Sequence, residues 1–311
     1  MTDDGQRFSQ AARCLSPRLL SRIKGLENEL AARASEIRLR INRPVSVSCA
    51  DQSLYITESG ALTSNLSGRL VTAERKDIDY SFNYICEYSV YARQSEIICG
   101  FVTLRGGHRV GICGTAVNRD GDILNVRDIS SLNIRIAREH RGCAAGLYER
   151  IKHINGGILI CGPPCSGKTT VLRDLARTLS YQSRVSLIDE RGELAAVCGG
   201  VYQNDIGMCD VFDGYRKDAA IEQALRSMSP DIIICDELGS ASDLAAAESA
   251  VNCGVSLIAS AHASDFDELR QRDGLKRLAA MGAFKAVARL SGRKAPGEIA
   301  GLSRVGEVFG L

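Results

Sequence analysis

The sequence has no tryptophan, only 6 prolines, and aromatic residues at 5% of its 311 positions. A stacking platform for nucleic acid has little to be built from, and a collagen-like or proline-rich chain is excluded. No C-x-x-C pair occurs among the 12 cysteines, which argues against a zinc site, and a chain of this length needs no disulfide scaffold. No apolar run approaches the roughly 20 residues that cross a bilayer. The opening stretch MTDDGQRFSQ lacks the apolar core of a secretory signal. The expectation is a cytoplasmic protein with free thiols and no membrane span of its own, reaching membranes only through partners. Charge of one sign is lacking too: 39 basic against 37 acidic residues leave +2, too weak for a generic polyanion binder.

What is present is an ordinary globular mix, 45% hydrophobic and 24% charged, long enough for about two domains. Residues 12–34 carry Leu15, Leu19, Leu20, Ile23, Leu26 and Leu30 at close to a 3.6-residue period, predicting one or two helices. From Glu36 the period drops to two, with Ile37, Leu39 and Ile41 alternating with polar residues, and Val45 and Val47 resume it after Pro44. Helix is expected over 76–94. Two β-type runs, IICGFVTL and HRVGICGTAV, meet at the hairpin signal Arg105-Gly106-Gly107. Residues 1–142 therefore predict a smaller α+β domain with an antiparallel sheet. From 143 onward, continuous apolar strands at 158–161, 184–188, 231–235 and 255–260 alternate with helical stretches, the pattern of a parallel sheet covered on both faces.

The chemistry sits in this second half. Gly162-Pro163-Pro164-Cys165-Ser166-Gly167-Lys168-Thr169 fits G-x-x-x-x-G-K-[ST], placed between an apolar strand and a helix from about Thr169. In such a loop backbone N–H groups and a helix N-terminus cradle phosphates, Lys168 reaches the β- and γ-phosphates, and Thr169 can ligand Mg²⁺. Thr170 continues the phosphate-facing turn. Ile232 to Cys235 end in Asp236-Glu237, which reads as a Walker B strand: Asp236 for Mg²⁺, Glu237 as the base that activates water. A second strand ends in Asp189-Glu190-Arg191, acids that could support the metal or the water. A fourth strand runs into Ser260-Ala261-His262, with His262 as a candidate γ-phosphate sensor. An arginine supplied from a neighbouring domain or subunit can stabilise charge on the transferring phosphoryl group; Arg226, Arg135 and Arg138 are candidates, or else surface ion-pair residues.

The order of P-loop, Asp189-Glu190, Asp236-Glu237 and His262 behind an α+β domain resembles the secretion ATPases of type II and type IV systems and the type IV pilus motors. More narrowly, EIRLRINRP (36–44), YSVYARQSEIICGFVTLRGGHRVGICG (88–114), LNIRIAREHRGCA (132–144), DVFDGYRKDAAIEQALRSMSPDIIICDELG (210–239) and IASAHA (258–263) resemble the stage III sporulation AA family of endospore-forming Firmicutes. The resemblance implies a RecA-like P-loop ATPase core using ATP and Mg²⁺, a hexameric ring, and a peripheral place on membrane proteins of the channel joining mother cell and forespore. It carries the roles above onto Lys168, Thr169, Asp236, Glu237 and His262. Asp236 departs from many secretion ATPases, which lack the Walker B aspartate, and the tetracysteine zinc element of some type II relatives is absent.

A nucleic-acid-stimulated, helicase-like ATPase is the alternative. Eighteen arginines in residues 1–145 keep it open, but no basic run and few aromatics support it. A nucleotide-binding scaffold without turnover is a third reading, against which Glu237 argues.

Overall fold

The computed structural model describes residues 3–49, 52–119 and 121–311. Its chain divides into two compact units, Met1–Arg138 and Glu139–Leu311.

The first unit opens with α1 (Asp3–Ala12), α2 (Pro17–Lys24) and α3 (Glu27–Leu30). The one or two helices expected over 12–34 are thus two short pieces, and a further helix lies ahead of them. The break before α2 is built locally. Ser16 Oγ accepts from the Leu19 N–H, and Pro17 sits in the first turn, where a missing N–H costs nothing. Strands β1 (Ala34–Arg40), β2 (Arg43–Pro44), β3 (Ser46–Cys49), β4 (Gln52–Ile56), β5 (Leu62–Thr63) and β6 (Thr72–Ala73) precede α4 (Arg75–Ile85), a 3₁₀ turn at Val90–Arg93 and α5 (Gln94–Ile98). The unit closes with β7 (Phe101–Thr103), β8 (Arg109–Arg119) and β9 (Asp122–Arg135). Seven strands form one sheet in the order β5-β4-β3-β1-β9-β8-β7, with every adjacent pair antiparallel. Alternation sorts its faces: Ile37, Leu39, Leu132 and Ile134 enter the core with Phe8, Leu19, Ile23 and Ile78, while Arg38 and Arg40 take the other side.

One expectation is corrected here. The run from Ile97 to Leu104 does not begin as strand, because Gln94–Ile98 is helical and the strand starts only at Phe101. Ile97 is buried, Arg93 and Glu96 pair one turn apart at 2.7 Å, and Gly100 at φ +85° makes the reversal that separates helix from strand.

The second unit contains α6 (Ala145–Ile151), β10 (Gly157–Gly162), α7 (Lys168–Leu179), β11 (Val185–Asp189), β12 (Asp210–Asp213), α8 (Lys217–Ser227), β13 (Ile232–Cys235), α9 (Ala241–Asn252) and β14 (Ser256–His262). Then follow α10 (Phe266–Arg270), α11 (Asp273–Ala280), β15 (Phe284–Leu290), β16 (Ile299–Arg304) and α12 (Val305–Phe309). Its sheet runs β12-β11-β13-β14-β10-β15-β16, parallel from β12 to β15, with β16 antiparallel at the edge. Successive residues of each central strand enter different cores. Leu159, Cys161, Ile233 and Cys235 pack on one side, Ile158, Ile160, Leu187 and Ile234 on the other. That two-sided burial is why these strands read as unbroken apolar runs. β14 lies between β10 and β13, so Gly162 stands opposite His262 and Cys235 opposite Ala259.

Candidate nucleotide site

Every residue of β10 is buried, and the loop that leaves its carboxyl end is forced into a tight curl. Cys165 at φ +61° and Gly167 at φ +88° turn the backbone left-handed on either side of Ser166, the kind of alternation that makes main-chain N–H groups converge on an anion. Gly167 is required twice over. A Cβ there would lie 2.6 Å from the Gly297 nitrogen of the β15–β16 connection, whose N–H donates to the Ser166 carbonyl at 2.8 Å. At Gly162 a Cβ would meet Ser166 Oγ at 2.6 Å. Ser166 Oγ itself is buried without a hydrogen-bond partner among the described residues, an orphan polar atom in the wall of the curl. Pro164 and Cys165 are exposed and Pro163 is partly covered.

Lys168 opens the 12-residue helix α7 and is buried. Its ammonium lies 2.9 Å from each of three acceptors: the Gly162 carbonyl, the Pro163 carbonyl and His262 Nδ1. Burial pushes the Lys168 ammonium below its ordinary pKa, against the opposing pull of Asp236 and Glu237. An ammonium can only donate, so Nδ1 accepts and the imidazole proton sits on Nε2, which lies 3.6 Å from Glu237 Oε1.

Asp236 joins the two motifs. Its Oδ2 accepts from Thr169 Oγ1 at 3.0 Å, and its Oδ1 accepts a short bond from Ser260 Oγ. A hydroxyl and a carboxylate brought together beside the curl are hard oxygen donors, a set that fits Mg²⁺. Glu237 has no hydrogen bond to its carboxylate among the described residues. Oε1 faces His262, and Oε2 lies 3.6 Å from an Arg191 guanidinium nitrogen.

The remaining sequence-predicted residues separate. Glu190 lines a small cavity with Arg191, Lys217, Asp236 and Glu237, and its Oε2 lies 3.4 Å from Lys217 Nζ. Asp189 is a correction. Both its oxygens are used by backbone, Oδ1 accepting from Glu193 N–H and Oδ2 from Leu194 and Ala195 N–H. It orders the loop after β11. Arg226 is not brought to the site: it is exposed in the last turn of α8, paired with Glu222 at 2.9 Å. α8 starts near Glu237 and runs away from it, so nine residues on Arg226 is about 13 Å distant along the axis. Arg138 donates to the carbonyls of Ala31 and Ala34, and Arg135 is exposed beside Glu36, both within the first unit. Thr170 presents its carbonyl to Cys143 Sγ at 3.6 Å, and one turn on Asp174 accepts the Ala144 N–H at 2.8 Å, so the segment entering the second unit is anchored on α7.

Sequence reasoning missed Lys217 and Ser260. Ser260 had a signal, since it stands two residues before His262 and so on the same side of β14. Lys217 had none.

A glycine curl between a buried strand and a helix, an acid at the end of a nearby strand and a strand inserted between the two define a P-loop protein with the fold of the secretion ATPases. Two solved structures share that fold: the ATPase DotB of Legionella pneumophila (TM-score 0.58, 16% identity, 88% of this chain and 76% of that one) and the pilus retraction motor PilT with bound ADP (0.54, 15%, 82% and 74%). The chain belongs to the family described as sporulation stage III, protein AA, which matches residues 6–308. Stage III sporulation protein AA of Bacillus subtilis (strain 168) is 38% identical over 257 residues, 80% of each chain.

Proposed function

We propose that this chain binds ATP with Mg²⁺ and hydrolyses it to ADP and phosphate, as one subunit of a ring-shaped, hexameric motor. The observation that carries the reading is the convergence of Lys168, Thr169, Asp236, Glu237 and His262 at the carboxyl ends of β10, β13 and β14, the edge where open α/β sheets bind ligands. Lys168 rests on carbonyls of its own loop. The β- and γ-phosphate oxygens replace those weak acceptors, and the main-chain N–H groups of 165–169 take the remaining charge. Thr169 and Asp236 would hold the cation, which would neutralise phosphate charge. Glu237, free of strong partners, accepts the proton of the attacking water. His262 spans the distance between Lys168 and Glu237, so the phosphate end and the base report on one another.

The partners proposed are membrane proteins of the mother cell–forespore channel, with the protein peripheral on the mother-cell side. No helix among the described residues is long and apolar enough to cross a membrane. Phosphate release from purified protein is the test: Lys168→Ala should abolish it, and undiminished turnover in that variant would remove the P-loop from the mechanism. Native mass with and without a non-hydrolysable ATP analogue tests the ring, and a monomer under both conditions would overturn it.

A further inference from the structure

Glu237 has φ +34°, a left-handed backbone that a non-glycine residue keeps only where its surroundings hold it. Two side chains do so. The Glu237 N–H donates to Ser260 Oγ at 3.1 Å, and its carbonyl accepts from Lys217 Nζ at 2.7 Å. Lys217 is the first residue of α8 and is only 7% exposed. A buried ammonium needs partners, and among the described residues this one has two: the Glu237 carbonyl and the Glu190 carboxylate, 3.4 Å away. Among the described residues the Glu237 carboxylate has only the 3.6 Å neighbours His262 and Arg191, so its direction is set through its own backbone.

We propose that Lys217 is a positioning residue for the base: its ammonium fixes the peptide after Glu237 and thereby aims the carboxylate, with Glu190 as counter-ion to the lysine. Ser260 is the matching brace on the other side, and because it also binds Asp236 it ties the base to the metal-facing acid. The inference rests on the hydrolysis reading above. It makes the β11 acid an electrostatic support for the β13 acid, reached through a lysine that belongs to neither strand. Preorganisation of this kind acts on the transition state and leaves ground-state nucleotide binding alone.

The experiment compares wild type, Lys217→Met, Lys217→Arg and Glu190→Gln for ADP affinity, for affinity toward ADP–aluminium fluoride, and for kcat. Lys217→Met is expected to keep ADP affinity within about 2-fold, to weaken the aluminium fluoride complex, and to lower kcat by about 10- to 100-fold. Lys217→Arg keeps a donor for the carbonyl and should recover most of that loss. Glu190→Gln should lower kcat less than Lys217→Met does. Full kcat with undiminished affinity for the mimic in Lys217→Met overturns the inference, as does a loss of ADP affinity as large as the loss of kcat. Should Lys217→Met fail to fold, Lys217→Gln, whose shorter amide does not span the gap, is read by the same criteria. Turnover lost in Lys168→Ala but untouched in the Lys217 variants defeats this inference alone. Absence of turnover in the wild-type protein defeats the hydrolysis reading and this inference together.

Discussion

Two parallel strands of the same sheet, β11 and β13, each end in Asp-Glu, and the two pairs have opposite fates. On β13, Asp236 meets two hydroxyls, Thr169 and Ser260, and the Glu237 carboxylate has Arg191 and His262 at 3.6 Å but no hydrogen bond among the described residues. On β11, Asp189 is closed off by three backbone N–H groups, and Glu190 turns to Lys217. The dipeptide is the same; the neighbours differ. β13 is next to β14, which stands beside the P-loop strand, whereas β11 is one strand further out. An acid becomes a candidate for chemistry when a hydroxyl or cation faces it, and a loop cap when its own downstream backbone reaches it first.

The sharpest way to break this comparison is to neutralise the two glutamates in turn. Glu237→Gln should cut kcat at least about 100-fold with nucleotide binding retained, against about 3-fold for Glu190→Gln. Equal losses in a phosphate-release assay would erase the distinction. The two aspartates should part by kind of effect. Asp236→Asn should remove the Mg²⁺ dependence of nucleotide affinity, measured by titration with and without chelator. Asp189→Asn, which points an amide donor at backbone donors, should leave that dependence intact and cost about 2 kcal/mol of stability, a melting shift of roughly 4–8 °C. A smaller effect comes from acid. Burial acts to raise the Asp174 carboxyl, but the Ala144 N–H and Arg177 outweigh it and hold the pKa below the ordinary aspartate value. A depressed carboxyl stabilises the fold above its unfolded pKa of about 3.9, and that contribution disappears as pH falls through the lower folded value. Asp174→Ala should therefore lower the midpoint of thermal unfolding at pH 6 by more than it does at pH 3. An equal loss at both would mean that Asp174 carries no folding charge.

Legibility followed locality. The P-loop, Asp236 and Glu237 were readable because eight contiguous residues and a strand end carry their geometry. His262 needed only the strand insertion to be placed. Arg226 stands away from its own chain's site for a reason that topology contains: in a parallel β-α-β unit the residues just before a strand lie at its amino edge, opposite that chain's ligand crevice. β12, β15 and β16 escaped notice. DVFD is four residues with acids at both ends, and the polar alternation of FKAVARL blurs its apolar run. Lys217 was invisible because its partners, a carbonyl 20 residues on and a carboxylate 27 residues back, are neighbours only in the folded chain.

Helix α7 begins at the glycine curl, and on its first two turns it also holds Cys143 and Ala144, through Thr170 and Asp174. One stiff rod thus has the glycine curl at its tip and the anchored segment on its flank. Lys168 and Asp174 stand about 9 Å apart along that rod, so the curl and the anchored segment share one rigid element with no joint between them.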